Sequence, residues 1–222
     1  MKLKFLGVEE SNIIYVGAEA VLVRTKWFGL EAVEKIRVPK PYRDPALDVQ
    51  IRQQRTIHEA KMLFQQRKNG IPCPVVYEVN LSKLSIVMEY IEGELLKKAL
   101  PKLAPSSLSR VMEAIGSYCG QLHEKGFVHG DLTTSNVILT PSKDVVFLDF
   151  GLMEYSPSLE GFGVDVHLFL RSLESMHSSK KDLCFKYFLE GYAKVRGPQK
   201  AEEVLRRVEE IRRRGRYVRK RT

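Results

Sequence analysis

Two polar motifs, separated by two short apolar runs, constrain this chain more than any other feature of its sequence. The first motif is His-Gly-Asp-Leu-Thr-Thr-Ser-Asn at residues 129–136, and the second is Asp149-Phe150-Gly151. The runs between them, residues 137–139 and 145–148, have the length and composition of short β-strands. Because a pair of such strands turns the chain back on itself, we expect Asp149 to lie beside the loop that carries the first motif.

The residue types in these motifs suit one kind of chemistry. Asp131 and Asn136 place a carboxylate and an amide on one tight loop, and Asp149 brings a second carboxylate. Phosphoryl transfer from ATP needs oxygen ligands for hard magnesium ions and a carboxylate beside the incoming nucleophile. The two motifs at this spacing therefore predict a kinase-type cleft that binds ATP and Mg²⁺.

Such a cleft also needs a strand lysine that neutralises the ATP phosphates and a helical glutamate that holds this lysine in place. Lys35 is the best candidate, because the residues of Ala-Val-Glu-Lys-Ile alternate as they do in a strand. Glu59 lies centrally on the next predicted helix and is the candidate partner. Without the downstream motifs, Lys35 would be interpreted as a solvated lysine at a sheet edge.

Two further nucleotide contacts are less specific. Gly17, in Gly-Ala-Glu-Ala, is a single glycine where typical kinases have Gly-x-Gly-x-x-Gly over the phosphates, so it is a turn glycine as readily as a ligand. Its neighbour Glu19 is unfavourable beside phosphates unless a cation balances it. Residues 87–93 fit a hinge between lobes, where backbone groups of Glu89 and Ile91 would hydrogen-bond adenine.

Apolar periodicity divides the chain into a strand-rich half and a helical half. Strand patterns occur at residues 13–16, 20–23, 32–36, 75–79 and 84–90, the last two as a hairpin. Helical patterns occur at residues 48–69, from Ser107 onward, and at 164–177, 181–195 and 198–214. We therefore predict the α+β class: a minimal bilobal protein-kinase-like fold with a small antiparallel N-lobe (1–90) and a mainly helical C-lobe (91–222).

The segment after Asp149 is short for a kinase-type chain. Helical periodicity resumes near Gly163, and no Ala-Pro-Glu occurs anywhere in the sequence. Ordinary protein kinases place an activation segment there, closed by Ala-Pro-Glu. We predict that the activation segment is absent, which argues against broad recognition of peptide substrates.

The net charge of +9 is concentrated near the end of the chain. From Arg196 to Thr222 there are eleven Lys/Arg and four Glu residues, so this stretch carries 11 − 4 = +7. A concentrated charge indicates an acidic partner, which is either a nucleic acid or an acidic protein surface. The alternative is a solvated helix end.

Cysteine usage and hydropathy suggest a cytoplasmic protein. The three cysteines, Cys73, Cys119 and Cys184, are isolated and odd in number, which favours a reducing compartment over a disulfide framework or a zinc site. No apolar run approaches the roughly 20 residues that span a bilayer, so no membrane association is expected.

With these residues in place, the chain resembles the small atypical serine/threonine kinase subunit of the KEOPS complex along nearly its whole length. The resemblance rests on the eight-residue motif at 129–136, on the Gly-Ala-Glu-Ala stretch, and on four further stretches. These are Pro-Lys-Pro-Tyr-Arg-Asp-Pro-Ala-Leu (39–47), Arg-Thr-Ile-His-Glu-Ala (55–60), Gly-Val-Asp-Val (163–166) and Glu-Ile-Arg-Arg-Arg-Gly-Arg (210–216).

The resemblance implies a role for each catalytic position. Asp131 would be the catalytic acid or base, Asn136 and Asp149 would bind Mg²⁺, and Lys35 would hold the ATP phosphates while paired to Glu59. Asp165 would lie at the start of the helix that braces the catalytic loop.

The resemblance also implies partners and a biological process. The family supports threonylcarbamoyl modification of tRNA adenosine, so the threonylcarbamoyl-transferase subunit and other KEOPS subunits are expected partners. Transfer RNA would bind through the complex and through the basic tail from Arg212 to Arg221. Some serine/threonine kinase or autophosphorylation activity is expected beside ATP hydrolysis.

Three other functions fit parts of the sequence. A dedicated serine/threonine protein kinase would use the same catalytic residues, although Thr133 stands where such kinases usually carry a lysine. A small-molecule kinase of the aminoglycoside or choline type also uses His-Gly-Asp, but the span after Gly151 is short for its helical insertion. A catalytically inactive scaffold would need neither Lys35 nor Asp131.

Overall fold

The computed structural model describes residues 10–218, and of residues 10 and 215–218 it describes the backbone alone. The chain divides into two compact units, with the boundary between Ile91 and Glu92. An antiparallel sheet dominates the first unit and helices dominate the second. The predicted α+β class is therefore confirmed.

The first unit is built on an antiparallel sheet with the strand order β1-β2-β3-β5-β4. A short 3₁₀ helix, Glu10–Asn12, precedes it, and the strands are β1 (Ile13–Val16), β2 (Ala20–Trp27), β3 (Leu30–Arg37), β4 (Val76–Asn80) and β5 (Ser85–Glu89). Lys35 on β3 lies opposite Leu22 on β2 and Ile86 on β5, so it occupies the middle of the sheet. Val21, Val23 and Ile36 form a buried cluster of this unit.

Helix α1 (Pro45–Lys68) lies between β3 and β4 in the sequence, and the chain is capped at both of its ends. Asp44 caps its first turn by accepting hydrogen bonds from the N–H groups of Ala46 and Leu47, and Pro45 takes the first helical position, where proline is tolerated. At the other end Gly70 has φ +85° and Ile71 donates to the carbonyl of Gln66 at 3.0 Å. This is a Schellman motif, and Gly70 ends the helix one residue after the pattern that predicts it at residues 48–69.

The second unit combines long helices with short strands. Its elements are β6 (Glu94–Leu95), α2 (Leu96–Ala99), a 3₁₀ helix (Leu100–Lys102), α3 (Pro105–Glu124), β7 (Phe127–Val128), β8 (Val137–Leu139), β9 (Val145–Phe147), β10 (Glu154–Tyr155), α4 (Leu159–Met176), α5 (Lys181–Arg196) and α6 (Pro198–Val218). Strands β6, β8 and β9 form one antiparallel sheet and β7 pairs with β10. Helix α3 packs on α5, and α4 packs on α6.

The two loop motifs lie between the short strands of this unit. Residues 129–136 connect β7 to β8, and Asp149 follows β9, whose pairing with β8 is antiparallel. Only residues 152–158 separate Gly151 from the start of α4. Among residues 10–218, no helix has both the length and the apolar character needed to cross a membrane.

Helix α4 begins earlier than the sequence pattern predicts, at Leu159 and not at Val164. Ser158 caps this helix, because its hydroxyl accepts a hydrogen bond from the N–H of Gly161 at 3.1 Å. The cap lets the chain enter the helix through a stretch containing Gly161 and Gly163, which weaken the helical pattern in sequence.

Candidate active site

In the first unit the structure brings Lys35 and Glu59 together. The Lys35 Nζ atom lies 2.5 Å from Glu59 Oε1, and Arg37 donates to Oε2 of the same carboxylate at 2.6 Å. Both cations come from β3, whereas Glu59 comes from α1. The pair predicted from the sequence is thus a three-residue cluster in which one carboxylate bridges two cations.

The Glu59 side chain is completely buried, which makes these contacts energetically important. Removing a carboxylate from water is costly unless charged and hydrogen-bonding partners compensate for it. Lys35 and Arg37 provide such partners, one on each carboxylate oxygen. The cluster therefore fixes the position of α1 relative to β3.

The loop between β1 and β2 contains Gly17 and is held by side chains from elsewhere in the unit. The N–H of Gly17 donates to the carbonyl of Ala20 at 2.9 Å, which closes a turn. Arg55 donates to the carboxylate of Glu19 at 2.6 Å, and the ammonium of Lys40 donates to the carbonyl of Ala18 and lies 3.7 Å from Glu19. These cations balance the charge of Glu19. A contact between Gly17 and a phosphate stays a prediction.

The predicted hinge residues lie at the end of the same unit. The backbone N–H of Glu89 donates to the carbonyl of Val75 at 2.8 Å, and its carboxylate accepts from the N–H of Val75 at 3.0 Å. Glu89 is therefore fixed against the strand that begins at Val76. Ile91 is the last residue of the unit. Adenine recognition by these backbone groups stays a prediction.

In the second unit the structure brings Asp131 and Asn136 together. The amide nitrogen of Asn136 donates to Asp131 Oδ2 at 2.7 Å and to the backbone carbonyl of Asp131 at 2.9 Å. The carbonyl of Asn136 accepts from the N–H of Leu148 at 3.0 Å, which ties the loop to the residue before Asp149. The orientation of the Asp131 carboxylate is thus set by its own loop.

Asp165 on α4 holds the backbone of this loop. Its two carboxylate oxygens accept hydrogen bonds from the N–H groups of His129, at 2.5 Å, and Gly130, at 2.8 Å. Hydrogen bonds to a carboxylate are among the stronger ones in proteins. Asp165 lies in the second turn of α4 and is fully buried, so it braces the residues immediately before Asp131.

Gly130 occupies a position that other residues cannot take without strain. It has φ +78°, and a Cβ atom there would lie 2.5 Å from the carbonyl oxygen of Leu152. A left-handed backbone combined with such a close approach favours glycine. The glycine of the His-Gly-Asp motif is therefore required by the path of the chain.

His129 orients the loop and is buried as a neutral ring. Its Nδ1 atom accepts a hydrogen bond from the N–H of Asp131 at 3.3 Å, and its ring packs 5.2 Å from that of Phe150. Burial lowers the pKa of His129, although the carboxylates of Asp165, Asp149 and Asp131 act in the opposite direction. These contacts of the buried imidazole position the loop.

Asn136 and Asp149 have the donor atoms that a magnesium ion prefers. Asn136 uses its amide nitrogen to hold Asp131, which leaves its carbonyl oxygen for a cation, and Asp149 supplies a carboxylate that accepts from Gly151 N–H at 2.9 Å. Among the described residues, no group of three or more His, Cys, Asp or Glu could hold a metal. Mg²⁺ needs no such group, since one or two protein oxygens suffice beside water and phosphate oxygens. The residues present fit this ion.

Several residues that hold the candidate site together are not among those predicted from the sequence. Arg37 follows Lys35 by two positions, and the alternation of a strand was the signal that both share one face. Arg55 and Lys40 balance Glu19, but their approach depends on the path of α1 and the preceding loop. No local pattern indicates such contacts.

Comparisons with known proteins agree with this description. Residues 52–160 match the ABC1 atypical kinase-like domain. The chain is 42% identical to the KEOPS complex subunit Bud32 of Pyrococcus abyssi (strain GE5 / Orsay), over 93% of this chain and 96% of the relative. It is 35% identical to the EKC/KEOPS complex subunit bud32 of Dictyostelium discoideum, over 97% of this chain and 85% of the relative.

A third relative is a longer protein. The chain is 38% identical to the probable bifunctional tRNA threonylcarbamoyladenosine biosynthesis protein of Methanobrevibacter smithii, over 93% of this chain. It spans 37% of the length of that relative. The resemblance inferred from the sequence motifs is confirmed by these matches: the chain belongs to the family of the KEOPS complex subunit Bud32.

Proposed function

We propose that this chain is a MgATP-dependent kinase or ATPase subunit of a KEOPS complex and supports threonylcarbamoyl modification of tRNA adenosine. The observation that carries the proposal is the Asn136 amide bound to the Asp131 carboxylate at 2.7 Å on a loop braced by Asp165. This arrangement presents one oriented carboxylate beside one oxygen donor for a cation. Membership in the Bud32 family supports the assignment to tRNA modification.

In the proposed reaction each site residue has one task. Asp131 orients the attacking hydroxyl, of water or of a protein side chain, and accepts its proton. Asn136 and Asp149 hold Mg²⁺, which when bound neutralises negative charge on the phosphates. Lys35, positioned by Glu59, binds the phosphates.

The remaining proposed contacts belong to the nucleotide. Gly17 lies in the loop that covers the phosphates, and backbone groups of Glu89 and Ile91 bind adenine. The short connection at residues 152–158 supports a small phosphoryl acceptor over an extended peptide, because it leaves little chain for a peptide-docking segment. The proposed acceptor is therefore chiefly water, and serine/threonine phosphorylation is a secondary activity.

The proposed partners are the threonylcarbamoyl-transferase subunit, the other KEOPS subunits and tRNA. The names of the relatives support these partners. The proposed tRNA contact is the basic tail from Arg212 to Arg221, of which the residues after Arg214 lie outside the described side chains. The proposed cytoplasmic location agrees with three buried, unbridged cysteines among the described residues.

The test is ATP turnover by the purified protein alone, with the transferase subunit, with tRNA, and with both. Labelled phosphate on each protein is followed in the same reactions. We expect Asp131→Asn to lower turnover at least about 100-fold, because positioned acid–base groups contribute this much to catalysis. Asp144→Asn is the matched control, since Asp144 is an exposed aspartate in the turn between β8 and β9, hydrogen-bonded to Ser142.

The outcomes separate the candidate functions. Phosphate release that rises with both partners, with little label on protein, supports the ATPase function. Stoichiometric label on one partner would instead identify a dedicated serine/threonine protein kinase. If Asp131→Asn has the turnover of Asp144→Asn, the catalytic assignment is wrong and the chain acts as a scaffold.

A further inference from the structure

Arg37 is the second cation on the buried carboxylate of Glu59. Its guanidinium donates to Oε2 at 2.6 Å, while the ammonium of Lys35 donates to Oε1 at 2.5 Å. The two cations are two residues apart on β3, so their side chains leave the strand on the same face. Each oxygen of the carboxylate therefore has its own cation.

Because this cluster is buried, the second cation strongly affects how well the charge of Glu59 is compensated. The side chain of Glu59 is 0% exposed and that of Arg37 is 7% exposed. A buried ion that is deprived of its partner is strongly destabilised, because no water takes the place of that partner. If Lys35 moves partly away from Glu59 to bind a phosphate, the carboxylate loses part of its compensation. This loss opposes phosphate binding.

Arg37 can keep the charge of Glu59 compensated, because hydrogen bonds hold it both to α1 and to the residue just before β5. Its guanidinium also donates to the backbone carbonyl of Arg55 at 3.3 Å, one helical turn before Glu59 on α1. Its own backbone N–H donates to the carbonyl of Leu84 at 3.1 Å. A planar guanidinium can serve two such acceptors at once, whereas a lysine ammonium at this position would be a shorter-reaching point charge.

We propose that Arg37 is a positioning residue for nucleotide binding: it keeps the charge of Glu59 compensated, so that the ammonium of Lys35 can share its charge with the phosphates of a nucleoside triphosphate. The proposal rests on the proposed function, in which Lys35 meets those phosphates. Without Arg37, Lys35 carries a larger share of the compensation of Glu59 and is held more tightly. Binding of the triphosphate then competes with a stronger internal ion pair.

The test measures the dissociation constant for MgATP by calorimetry and the thermal unfolding midpoint of the full chain. We expect Arg37→Met to weaken MgATP binding at least about tenfold. The loss of a hydrogen bond to a charged group typically changes an equilibrium constant by about this factor or more. Arg37→Lys restores part of the affinity, because it keeps the charge but not the second acceptor contact. Arg37→Met combined with Glu59→Gln binds MgATP more tightly than Arg37→Met alone, because the charge of Glu59 then no longer competes with the phosphates for Lys35.

Arg52→Met is the matched control. Arg52 donates to the nearly buried carboxylate of Asp48 at 2.7 Å, and Arg43 lies 3.4 Å from the same carboxylate. This is also a buried acid with two cations in the same unit, but none of the three is assigned to the nucleotide. We expect this variant to lower the unfolding midpoint and to bind MgATP as the unaltered protein does.

Each of the remaining outcomes contradicts one specific claim. If Arg37→Met binds MgATP normally while Lys35→Met does not, the inference about Arg37 is wrong and the proposed function stands. Equal losses of affinity in Arg37→Met and Arg52→Met also contradict the inference, since they indicate a general effect of stability. If Lys35→Met itself binds MgATP normally, the phosphate-binding role of Lys35 fails. Should Arg37→Met not fold, Arg37→Gln replaces it, because it also removes the charge, and unchanged affinity in that variant overturns the proposal.

Discussion

His123 lies in a buried chain of hydrogen bonds that joins three helices. Its Nδ1 atom is 2.8 Å from the hydroxyl of Tyr192 on α5, and its Nε2 atom is 3.2 Å from Asp165 Oδ2 on α4. Burial raises the pKa of the Tyr192 phenol, which stays protonated and acts as the donor to Nδ1. His123 then donates from Nε2 to Asp165, which also holds the backbone of the loop at residues 129–136.

The chain of hydrogen bonds predicts how stability depends on pH. The pKa of His123 is lowered by burial, which outweighs the opposite effect of the Asp165 carboxylate, while Arg196 and His129 lower it further. Below about pH 6.5 the unfolded chain binds a proton at this residue, whereas the folded chain resists it until a lower pH. We therefore expect the free energy of unfolding to fall as the pH is lowered from about 7 to about 5.

The contribution of His123 to this dependence is measured with His123→Gln. We expect the variant to be less stable at neutral pH, because it loses buried hydrogen bonds, but to show a shallower decline towards acid. One such histidine contributes at most about 1.4 kcal/mol per pH unit. Thermal midpoints at about pH 7.5 and about pH 5.5 test this. Burial also lowers the pKa of His129, His167 and His177, so some decline remains; an unchanged slope in His123→Gln would contradict the assignment.

For single residues, a role could be predicted from the sequence only where the residues that share it are close together in the chain. Asp131 and Asn136 lie within one loop, so their motif predicts their contact. The partners of His123 are 42 and 69 residues away, and no spacing in the sequence identifies them. The need for glycine at position 130 likewise comes from the carbonyl of Leu152, which only the fold brings close.

Among the elements, α3 and α5 approach each other closely enough for backbone contact. A Cβ atom on Gly116 of α3 would lie 1.9 Å from the carbonyl oxygen of Phe188 on α5, and one on Gly191 would lie 2.0 Å from that of Glu113. The hydroxyl of Ser117 donates to the carbonyl of Gly191 at 3.1 Å across the same interface. The glycines thus allow the two helices to pack at short range.

We expect Gly116→Ala to destabilise the protein even though alanine is the better helix former. The gain in helix propensity is about 1 kcal/mol, while forcing an atom into a packed core costs about 1–3 kcal/mol or more. Gly120→Ala is the internal comparison, because its Cβ would lie 3.1 Å from the nearest atom, a side-chain carbon of Val195. Urea unfolding of both variants measures the difference. A Gly116→Ala protein as stable as Gly120→Ala would show that the helices separate at little cost.

Element prediction succeeded where the signal lies within one segment. The strands of the first sheet and the helices α1, α3 and α5 have their own periodicity and end signals, such as Gly70. Strands β6, β7 and β10 have two residues each and exist only through pairing with distant partners. The early start of α4 was missed because the cap at Ser158 outweighs the low helix propensity of Gly161 and Gly163.

For the whole molecule, the uneven charge is the property most relevant to partners. The last stretch, from Arg196, carries +7 of the net +9. Within it, Arg212 lies 3.0 Å from Glu174 and Arg214 lies 2.7 Å from Glu160, and both glutamates belong to α4. These two arginines are already engaged within the chain. Contacts with phosphates are therefore expected chiefly from the other cations of the tail, four of which follow Arg214.

This expectation is tested by replacing those cations, Arg216, Arg219, Lys220 and Arg221, with glutamine. Each bound phosphate releases counterions, so the plot of log binding constant against log salt should become shallower by about 0.7–0.9 for each phosphate that the variant no longer binds. Binding of tRNA to the assembled complex is measured at several salt concentrations. The control replaces Lys61, Lys68, Lys83 and Lys143, four exposed lysines elsewhere, and removes the same total charge. An equal change in both variants would indicate a general charge effect. An unchanged slope in the tail variant, with weaker binding to the transferase subunit, would assign the tail to an acidic protein surface and not to tRNA.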